Sequence, residues 1–184
     1  CTGPKCAAEY QAKFGTTLEE DRKPVGPKAE PNPRLVQWQD EAIADIVRRV
    51  AVEGRKLRPG LLISADVHVG LPGGRPATDG RNALPWIRNG WLDVAYDMDY
   101  GRVLGYARID AARAACGKPA AVVDLLGNYE VDDKGHVVPR EGKLLADLAS
   151  FCQRRWPGNG VGVYLISMLN DDQIAALRAG PFKE

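Results

Sequence analysis

The chain has 184 residues, of which 45% are hydrophobic, and its 25 lysine and arginine residues nearly balance its 24 aspartates and glutamates. This composition is typical of a folded globular domain and excludes a disordered or fibrous protein. A formal net charge of +1 gives no reason to expect a nucleic-acid backbone or an anionic membrane as partner. No stretch approaches the about 18 uninterrupted apolar residues of a transmembrane helix, and no signal peptide is visible.

The first part of the chain is polar and interrupted by prolines. We predict an irregular segment over residues 1–33 that contains Cys and Pro, with one short helix near 7–14. Cys1 and Cys6 have four residues between them, so a disulfide, half of a metal clip and an unlinked pair all remain open. Cys1 is compatible with the lipid-bearing first residue of a bacterial lipoprotein, and a cut inside a longer chain also explains it.

From residue 34 onward, apolar residues recur in patterns that alternate between helix and strand. Asn32-Pro33 is typical of a helix start, and the helical spacing that follows predicts a helix ending at Gly54. Four apolar runs then predict strands at 61–67, in the second half of 86–98, at 120–126 and at 160–169. A long Gly/Pro-rich loop is predicted at 70–85, and helices at 109–116, 144–156 and from Asn170-Asp171 to Gly180.

This order of elements predicts an α/β fold with parallel strands. The strands are apolar runs rather than clean alternations, as expected when helices cover both faces of a parallel sheet. Their spacing is close to the repeat of a (β/α)8 barrel, which needs eight strands and about 250 residues. We therefore predict that residues 34–184 form four βα units, equivalent to half of a TIM barrel. Cys116 and Cys152 lie on apolar helical faces and are expected in the core.

Acidic residues lie at or near the carboxyl ends of the first three predicted strands. They are Asp66 on the first strand, Asp97 and Asp99 on the second and Asp124 on the third. In parallel α/β folds, ligands bind at this end of the strands. We predict that Asp66, Asp99 and Asp124 line a functional site, with Asp97 as the alternative to one of them.

Aromatic and polar residues follow the same strand ends. A sugar ring has an apolar face and a hydroxyl edge, so a sugar site combines aromatic platforms with carboxylates. Trp91 and Tyr96 are expected in the core rather than at the rim. The residues that we predict to contact a substrate are His68, Trp86, Tyr100, Asn128, Tyr129 and Glu130.

Several short segments resemble the glycosyl hydrolase-like family 10 proteins, which are (β/α)8 barrels. "GWLDVAYDMDYG" is similar to a segment of that family that reads, in order, glycine, a hydrophobic residue, aspartate, a hydrophobic run and Pro-Met-Asn-Tyr. Met98, Asp99 and Tyr100 stand at the positions of the family's Met, Asn and Tyr. Asp97 replaces the proline, and Asp99 replaces the asparagine. Other stretches also resemble parts of that family. They are "ISADV", the spacing between a tryptophan and the Gly-hydrophobic pair at Trp86 and Trp91, "GVGVYLISML…ALRAGPF" and "CTGPKCAAEYQAKFG".

The resemblance implies that the four strands are the fifth to eighth of a barrel and that the first four lie upstream of Cys1. It also implies a glycoside hydrolase, in which two carboxyl groups flank the scissile bond, one as the acid and one as the nucleophile or base. Which carboxylate takes which role stays open. One of the pair could lie in the missing half, in which case the fragment alone would be inactive.

Two other functions are compatible with the same residues. Asp66 and His68 could begin a metal site in a metal-dependent hydrolase, with Asp97 or Asp99 completing the set of ligands, although His136, the only other histidine, falls in a predicted turn. The barrel could also bind carbohydrate without chemistry. "VGLPGG" at 69–74 lacks the residues of a P-loop or a dinucleotide site.

The sequence also sets expectations about cofactors, partners and location. We expect no cofactor and no metal. We expect a carbohydrate substrate, no nucleic acid and no membrane-spanning segment, with the missing half-barrel or an oligomeric partner covering the exposed strand edges. An extracytoplasmic location is favoured.

Overall fold

A computed structural model describes residues 3–23, 31–70 and 80–183. The helices are α1 (Pro4–Phe14), α2 (Leu18–Arg22), α3 (Pro33–Leu57), α4 (Ala83–Arg88), α5 (Tyr106–Ala115), α6 (Gly142–Arg155) and α7 (Asp171–Ala179). The strands are β1 (Ser64–Val67), β2 (Val94–Asp99), β3 (Val122–Gly127), β4 (Tyr129–Val131), β5 (Val137–Pro139) and β6 (Gly162–Tyr164). No helix in these ranges has both the length and the apolar character needed to cross a bilayer.

Four strands form one parallel sheet in the order β1-β2-β3-β6. Asp66 pairs with Tyr96, Asp97 with Asp124, and Leu125 with Gly162. Each strand is followed by at least one helix, and the sheet is curled, so the fold is half of a (β/α)8 barrel, as predicted. β1 and β6 are shorter than the predicted apolar runs, and residues 166–168 at the end of the fourth run form a 3-10 turn instead of strand.

The hydrophobic core lies between the sheet and the helices. Fully buried residues from the strands, such as Val67, Ala95 and Leu126, pack with residues of α4, α5 and α6. Cys116 and Cys152 belong to this core and are free thiols, as expected. Burial of these side chains is the main stabilising contribution to the fold.

The N-terminal segment is more regular than predicted. It contains α1 and α2, and α2 begins with a capping box between Thr17 and Glu20. Asp21 accepts hydrogen bonds from Tyr10 at 2.7 Å and from Arg34 at 2.7 and 2.8 Å, which fastens the segment to the start of α3. Cys6 is disulfide-bonded, whereas Cys1 and residues 24–30 lie outside the described residues.

Two local expectations from the sequence are wrong. Gly54 does not end α3, which continues to Leu57. A Cβ at Gly54 would lie 2.9 Å from Leu61 Cδ2, so the glycine makes room for Leu61. Residues 83–88 form α4 instead of loop. A hairpin of β4 and β5 follows β3, and His136 lies in its turn as predicted. Residues 71–79, including most of "VGLPGG", lie outside the described residues.

Candidate functional site

The two sides of the sheet carry different polar groups. Side chains alternate along a strand, so paired residues in the register point to the same side. One side, which we call the helix-facing side, meets α5 and α6 and carries Asp97, Asp99 and Asp124. The opposite side, which we call the open face, carries Asp66 and Tyr96. Asp97, Asp99 and Asp124 therefore lie on one side of the sheet, whereas Asp66, which the sequence grouped with them, lies on the other.

Asp97, Asp99 and Asp124 form a buried group that we call the acidic trio. One carboxylate oxygen from each lies within 4.8 Å of the others. Asp97 is 0% exposed and Asp124 is 1% exposed. Carboxylates at this depth cost stability unless they are paired or protonated, so the partners of each decide what the group can do.

Arg108, in the first turn of α5, supplies the positive charge beside the trio. Its Nη1 lies 2.6 Å from Asp97 Oδ1 and 2.5 Å from Oδ2, and its Nη2 lies 3.4 Å from Asp99 Oδ2. Backbone N–H groups complete the coordination, since Val69 donates to Asp97 at 3.0 Å and Gly105 donates to Asp99 at 2.6 Å. Burial raises the pKa of Asp97, and the guanidinium of Arg108 opposes that rise.

Asp124 has no cation within ion-pairing distance among the described residues. Its Oδ2 accepts a hydrogen bond from the Cys152 thiol at 3.3 Å, and its Oδ1 is buried without a hydrogen-bond partner. The pKa of Asp124 is raised to about 7, mainly by burial; the charges of Asp99 and Asp97 also raise it, whereas the hydrogen bond from the Cys152 thiol and the charge of Arg108 lower it. Asp124 is therefore largely protonated at mildly acidic pH, which reduces the charge of the trio.

The trio has the donor atoms of a hard-cation site, but Arg108 already fills the place of a cation. Ca²⁺ and Mg²⁺ prefer carboxylate oxygens, and the spacing would suit such an ion. The guanidinium, the protonated Asp124 and the two backbone donors instead neutralise the charge within the protein. The arrangement fits a group that holds the ends of β2 and β3 in place.

The open face carries three tyrosines at the carboxyl end of the sheet, which we call the tyrosine cluster. The Tyr100 and Tyr164 rings stack at 5.3 Å with an angle of 12°, and Tyr129 contacts both at 5.8 and 6.4 Å. Gly127 lies between Tyr100 and Tyr164 in the register, and a Cβ there would lie 3.1 Å from Tyr100 Cβ. Because Gly127 has no side chain, the two rings can stack across β3.

Charged groups lie beside the tyrosine cluster. Asp66 is exposed on the open face. Burial raises the pKa of Tyr100 to about 12; the charge of Asp66 adds to the rise, whereas Arg81 opposes it. Arg81 also contacts Met98 Sδ at 3.6 Å. The open face thus brings together aromatic rings, an exposed carboxylate and a cation, which can bind the apolar face and the hydroxyl groups of a sugar ring.

Of the other residues predicted to contact a substrate, Trp86 and Asn128 are buried, Glu130 is in an ion pair and His68 is half-buried. Trp86 is 3% exposed and belongs to the hydrophobic core, so it is not at the rim. Asn128 is fully buried, where its amide bonds to Leu165 at 2.9 and 2.6 Å; it positions the end of β6, not a ligand. Glu130 is paired with Arg102 at 2.6 Å. His68 is half-buried and forms a β-bridge with Asn82.

The alternative metal site at Asp66 and His68 is not supported. In the ranges that the structure describes, no third His, Cys, Asp or Glu comes close enough to these two residues to complete a set of three ligands. His136 lies in the hairpin turn and interacts with Asp132 at 3.3 Å. The described residues therefore offer this hydrolase mechanism too few ligands.

Three residues with roles at these strand ends were missed in the sequence. Tyr164 lies in the fourth predicted strand, and the same alternation that assigned the other strands would have placed it beside Tyr100. Arg108 lies nine residues after the end of β2, in the first turn of α5, and no short motif marks it. Arg140 is buried after β5 and donates to the Tyr100 carbonyl at 2.8 Å; nothing in its local sequence indicates burial.

Comparisons with known proteins match the fold. No family model and no curated protein matches the chain. Solved structures that match include a class V chitinase from Pseudomonas fluorescens Pf-5 (TM-score 0.56, 12% identity, 77% of this chain and 63% of that one). A chitinase from Chromobacterium violaceum ATCC 12472 has a TM-score of 0.54 at 12% identity, over 81% of this chain and 63% of that one.

A third match is a chitinase from Rhizomucor miehei, with a TM-score of 0.54 and 13% identity over 86% of this chain and 66% of that chain. The chain thus spans roughly two thirds or less of the length of the chitinases that it matches. At identities of 12–13%, the likeness establishes architecture. The chain has a TIM-barrel fold in partial form, similar to the fold of these chitinases.

Proposed function

We propose that the chain is part of a glycoside hydrolase that binds carbohydrate on the open face and cleaves a glycosidic bond there. The observation that carries the proposal is the tyrosine cluster at the carboxyl end of the sheet, with Asp66 exposed on the same face. Ligands of TIM barrels bind at this end. The chitinase-like fold supports the same class of substrate.

Asp66 is the carboxylate that we assign to the reacting sugar. It is exposed, whereas the acidic trio is buried on the helix-facing side and neutralised by Arg108 and backbone donors. Glycoside cleavage usually needs a second carboxyl group, about 5 Å away for retention or about 6.5–9.5 Å for inversion. We propose that this second group lies outside the described residues and that Asp97, Asp99 and Asp124 position the strand ends.

The similarity to glycosyl hydrolase-like family 10 proteins is part of this proposal. Met98, Asp99 and Tyr100 are the matching residues, and two of them have the roles just described: Tyr100 in the sugar platform and Asp99 in the trio. The half-barrel fold supports a glycosidase-like protein in general. The assignment to family 10 depends on the quoted motifs.

We propose that the remainder of a barrel covers the edge formed by β1 and α3. The outer surface of α3 exposes Ile46 and Val50 by 50% and 52%, and Leu62, just before β1, is 77% exposed. β1 is the first strand of the sheet order, and within the described residues its outer edge has no partner strand; proteins usually cover such edges. The chitinases in the comparison are longer than this chain, so extra strands and helices are the partner that best fits the surface.

Carbohydrate binding without chemistry is the second candidate function. One observation favours it. Glu130, an acidic residue in the hairpin beside the tyrosine cluster, is paired with Arg102 and is therefore not available as the second carboxyl group. Alternation along β4 also directs Glu130 away from Tyr129. Asp66 would then orient a hydroxyl group rather than react.

The test is a binding and hydrolysis experiment with neutral β-linked oligosaccharides, including chitin fragments. Calorimetry on the chain should detect binding that Tyr164→Ala weakens about tenfold, the loss expected for one aromatic contact. Phe182→Ala, at an exposed aromatic residue on the C-terminal side of α7, is the matched control and should have no effect.

Hydrolysis is measured on a chain that includes the preceding coding sequence. Asp66→Asn should abolish turnover while binding persists. If sugars bind and Asp66→Asn retains full turnover, the catalytic assignment is wrong. If sugars bind and the longer wild-type chain shows no turnover, the second candidate function replaces the first. Failure to bind any of the sugars contradicts both.

A further inference from the structure

Arg140 is a buried guanidinium with most of its hydrogen-bonding groups unused. It is 1% exposed and follows β5 directly. An arginine side chain has five N–H groups. Its Nη2 donates to the Tyr100 carbonyl at 2.8 Å, whereas Nε and Nη1 are buried without a hydrogen-bond partner. Buried polar groups are nearly always satisfied, so these N–H groups indicate a missing acceptor.

The backbone on both sides of this guanidinium is fixed. The Arg140 N–H donates to the Asn128 carbonyl at 2.9 Å, and Gln173 Nε2 donates to the Arg140 carbonyl at 2.7 Å. The side chain then reaches the end of β2, where it contacts the residue that forms the centre of the tyrosine cluster. Arg140 is therefore held next to the proposed sugar platform.

The nearby carboxylates are already engaged by other groups. Glu130 has the largest electrostatic effect on Arg140, but its carboxylate is 2.6 Å from Arg102. Asp99 accepts from the Gly105 N–H and lies near Arg108. No acidic side chain in the described residues forms an ion pair with Arg140, and Arg102 adds a repelling charge. Because an arginine stays protonated at any physiological pH, Arg140 is a positive charge without a matching anion.

We propose that Arg140 binds the carboxylate of an acidic sugar, so that the substrate class is a saccharide containing a hexuronate. This inference rests on the proposed function, because the tyrosine cluster would hold the ring whose carboxylate reaches Arg140. Two oxygens on one planar group suit a guanidinium better than a single hydroxyl does. A neutral sugar would leave the charge unmatched.

The β4–β5 hairpin is the part of the structure that has to move to admit the carboxylate. Each strand has three residues, and an isolated two-stranded ribbon is marginally stable. The Arg102–Glu130 pair that joins this hairpin to the end of β2 is largely exposed on the Arg102 side, with 64% of that side chain accessible. Exposed pairs of this kind contribute little stability, so an incoming carboxylate can displace Glu130.

The experiment compares two oligosaccharides that differ in one group: one ends in glucuronate and the other in glucose. Calorimetry on the full chain should show that the acidic oligosaccharide binds about tenfold more tightly, as expected for charge-assisted hydrogen bonds. Arg140→Gln should remove this preference and leave the affinity for the neutral sugar unchanged. Arg154→Gln, which removes the same charge from an exposed position near the end of α6, should keep the preference.

The outcomes separate this inference from the proposed function. Binding of neither sugar contradicts the proposed function. Equal binding of both sugars, or a preference that survives Arg140→Gln, overturns the role of Arg140 and leaves the proposed function standing. If Arg140→Gln does not fold, the test is an NMR titration of the wild-type protein with each of the two sugars. The Nε–H signal of Arg140 should shift with the glucuronate sugar and not with the glucose sugar, and no shift with either overturns the inference.

Discussion

The helix-facing side and the open face of the sheet both carry aspartates near strand ends, but their surroundings differ. Asp97 and Asp124 are buried beneath helices, where Arg108 and a thiol are their side-chain partners. Asp66 is exposed beside a stacked pair of tyrosines. One residue of register decides which side of a strand a carboxylate faces. Acidic residues at similar strand ends thus lie in different surroundings, buried and hydrogen-bonded on one side of the sheet and exposed on the other.

The largest expected difference between the two sides is the effect of removing an arginine. Arg108→Met keeps the apolar stem but leaves Asp97 and Asp99 without their cation, so the free energy of unfolding should fall by about 3–5 kcal/mol. Chemical denaturation followed by circular dichroism measures the change. Arg102→Met, which breaks the exposed pair with Glu130, is the control and should cost less than about 1 kcal/mol. Equal losses would mean that the trio does not depend on Arg108.

The pH dependence of stability should reveal the proton on Asp124. The pKa of Asp124 is about 7 in the folded chain and about 3.9 when unfolded, so the folded state binds more protons between these values. The free energy of unfolding should therefore fall as pH rises from about 4 to 7, by up to about 1.4 kcal/mol per pH unit from this residue. Denaturation curves at several pH values measure this slope.

Asp124→Asn should flatten that slope, because asparagine does not titrate and its carbonyl still accepts from the Cys152 thiol. Asp133→Asn, in the exposed turn of the hairpin, removes the same charge and should leave the slope unchanged. A slope in Asp124→Asn as steep as in the wild type would show that Asp124 does not hold the proton.

Gly127→Ala should disturb the open face more than the helix-facing side. The added Cβ would lie 3.1 Å from Tyr100 Cβ and 3.3 Å from Tyr100 Cα, so the ring has to shift away from Tyr164. We expect a loss of about 1–3 kcal/mol in the free energy of unfolding and weaker sugar binding. Near-UV circular dichroism of the tyrosines reports the change in stacking, and an unchanged spectrum would contradict the account of Gly127.

The smallest expected effect on stability is at the outer surface of α3. Ile46→Ser changes a residue that is 50% exposed, so the free energy of unfolding should change by less than about 0.5 kcal/mol. Self-association of the chain, measured by analytical ultracentrifugation, should decrease because the apolar surface is smaller. A large loss of stability would show that Ile46 belongs to the core and not to a docking surface.

The order of helices and strands could be predicted because apolar runs and caps are local signals. Asn170, for example, caps α7 through the Gln173 N–H as its sequence suggests. The acidic trio was within reach of the same reasoning, since alternation places Asp97 and Asp99 on one side. The register between β1 and β2, which decides whether Asp66 shares a side with Asp97, could not be predicted, because it is set by contacts between strands that are distant in the sequence. Asp66 was therefore grouped with the wrong residues.

Trp86 and Arg140 show a second limit of sequence reasoning. Trp86 was expected at the rim because the loop around it was predicted to be irregular, but α4 carries its ring into the core. Arg140 belongs to a residue type that is mostly exposed, and contacts with residues about 40 positions earlier bury it. Burial of this kind depends on tertiary structure, which no local pattern records.

The central claim is that carbohydrate binds on the open face and not at the acidic trio. Titrating the isotope-labelled chain with a neutral oligosaccharide and following its NMR signals tests this directly. The account predicts shifts at Asp66, Tyr100 and Tyr164, and unchanged signals at Arg108 and Cys152. Shifts confined to Arg108 and Cys152, with the tyrosine signals unchanged, would contradict it.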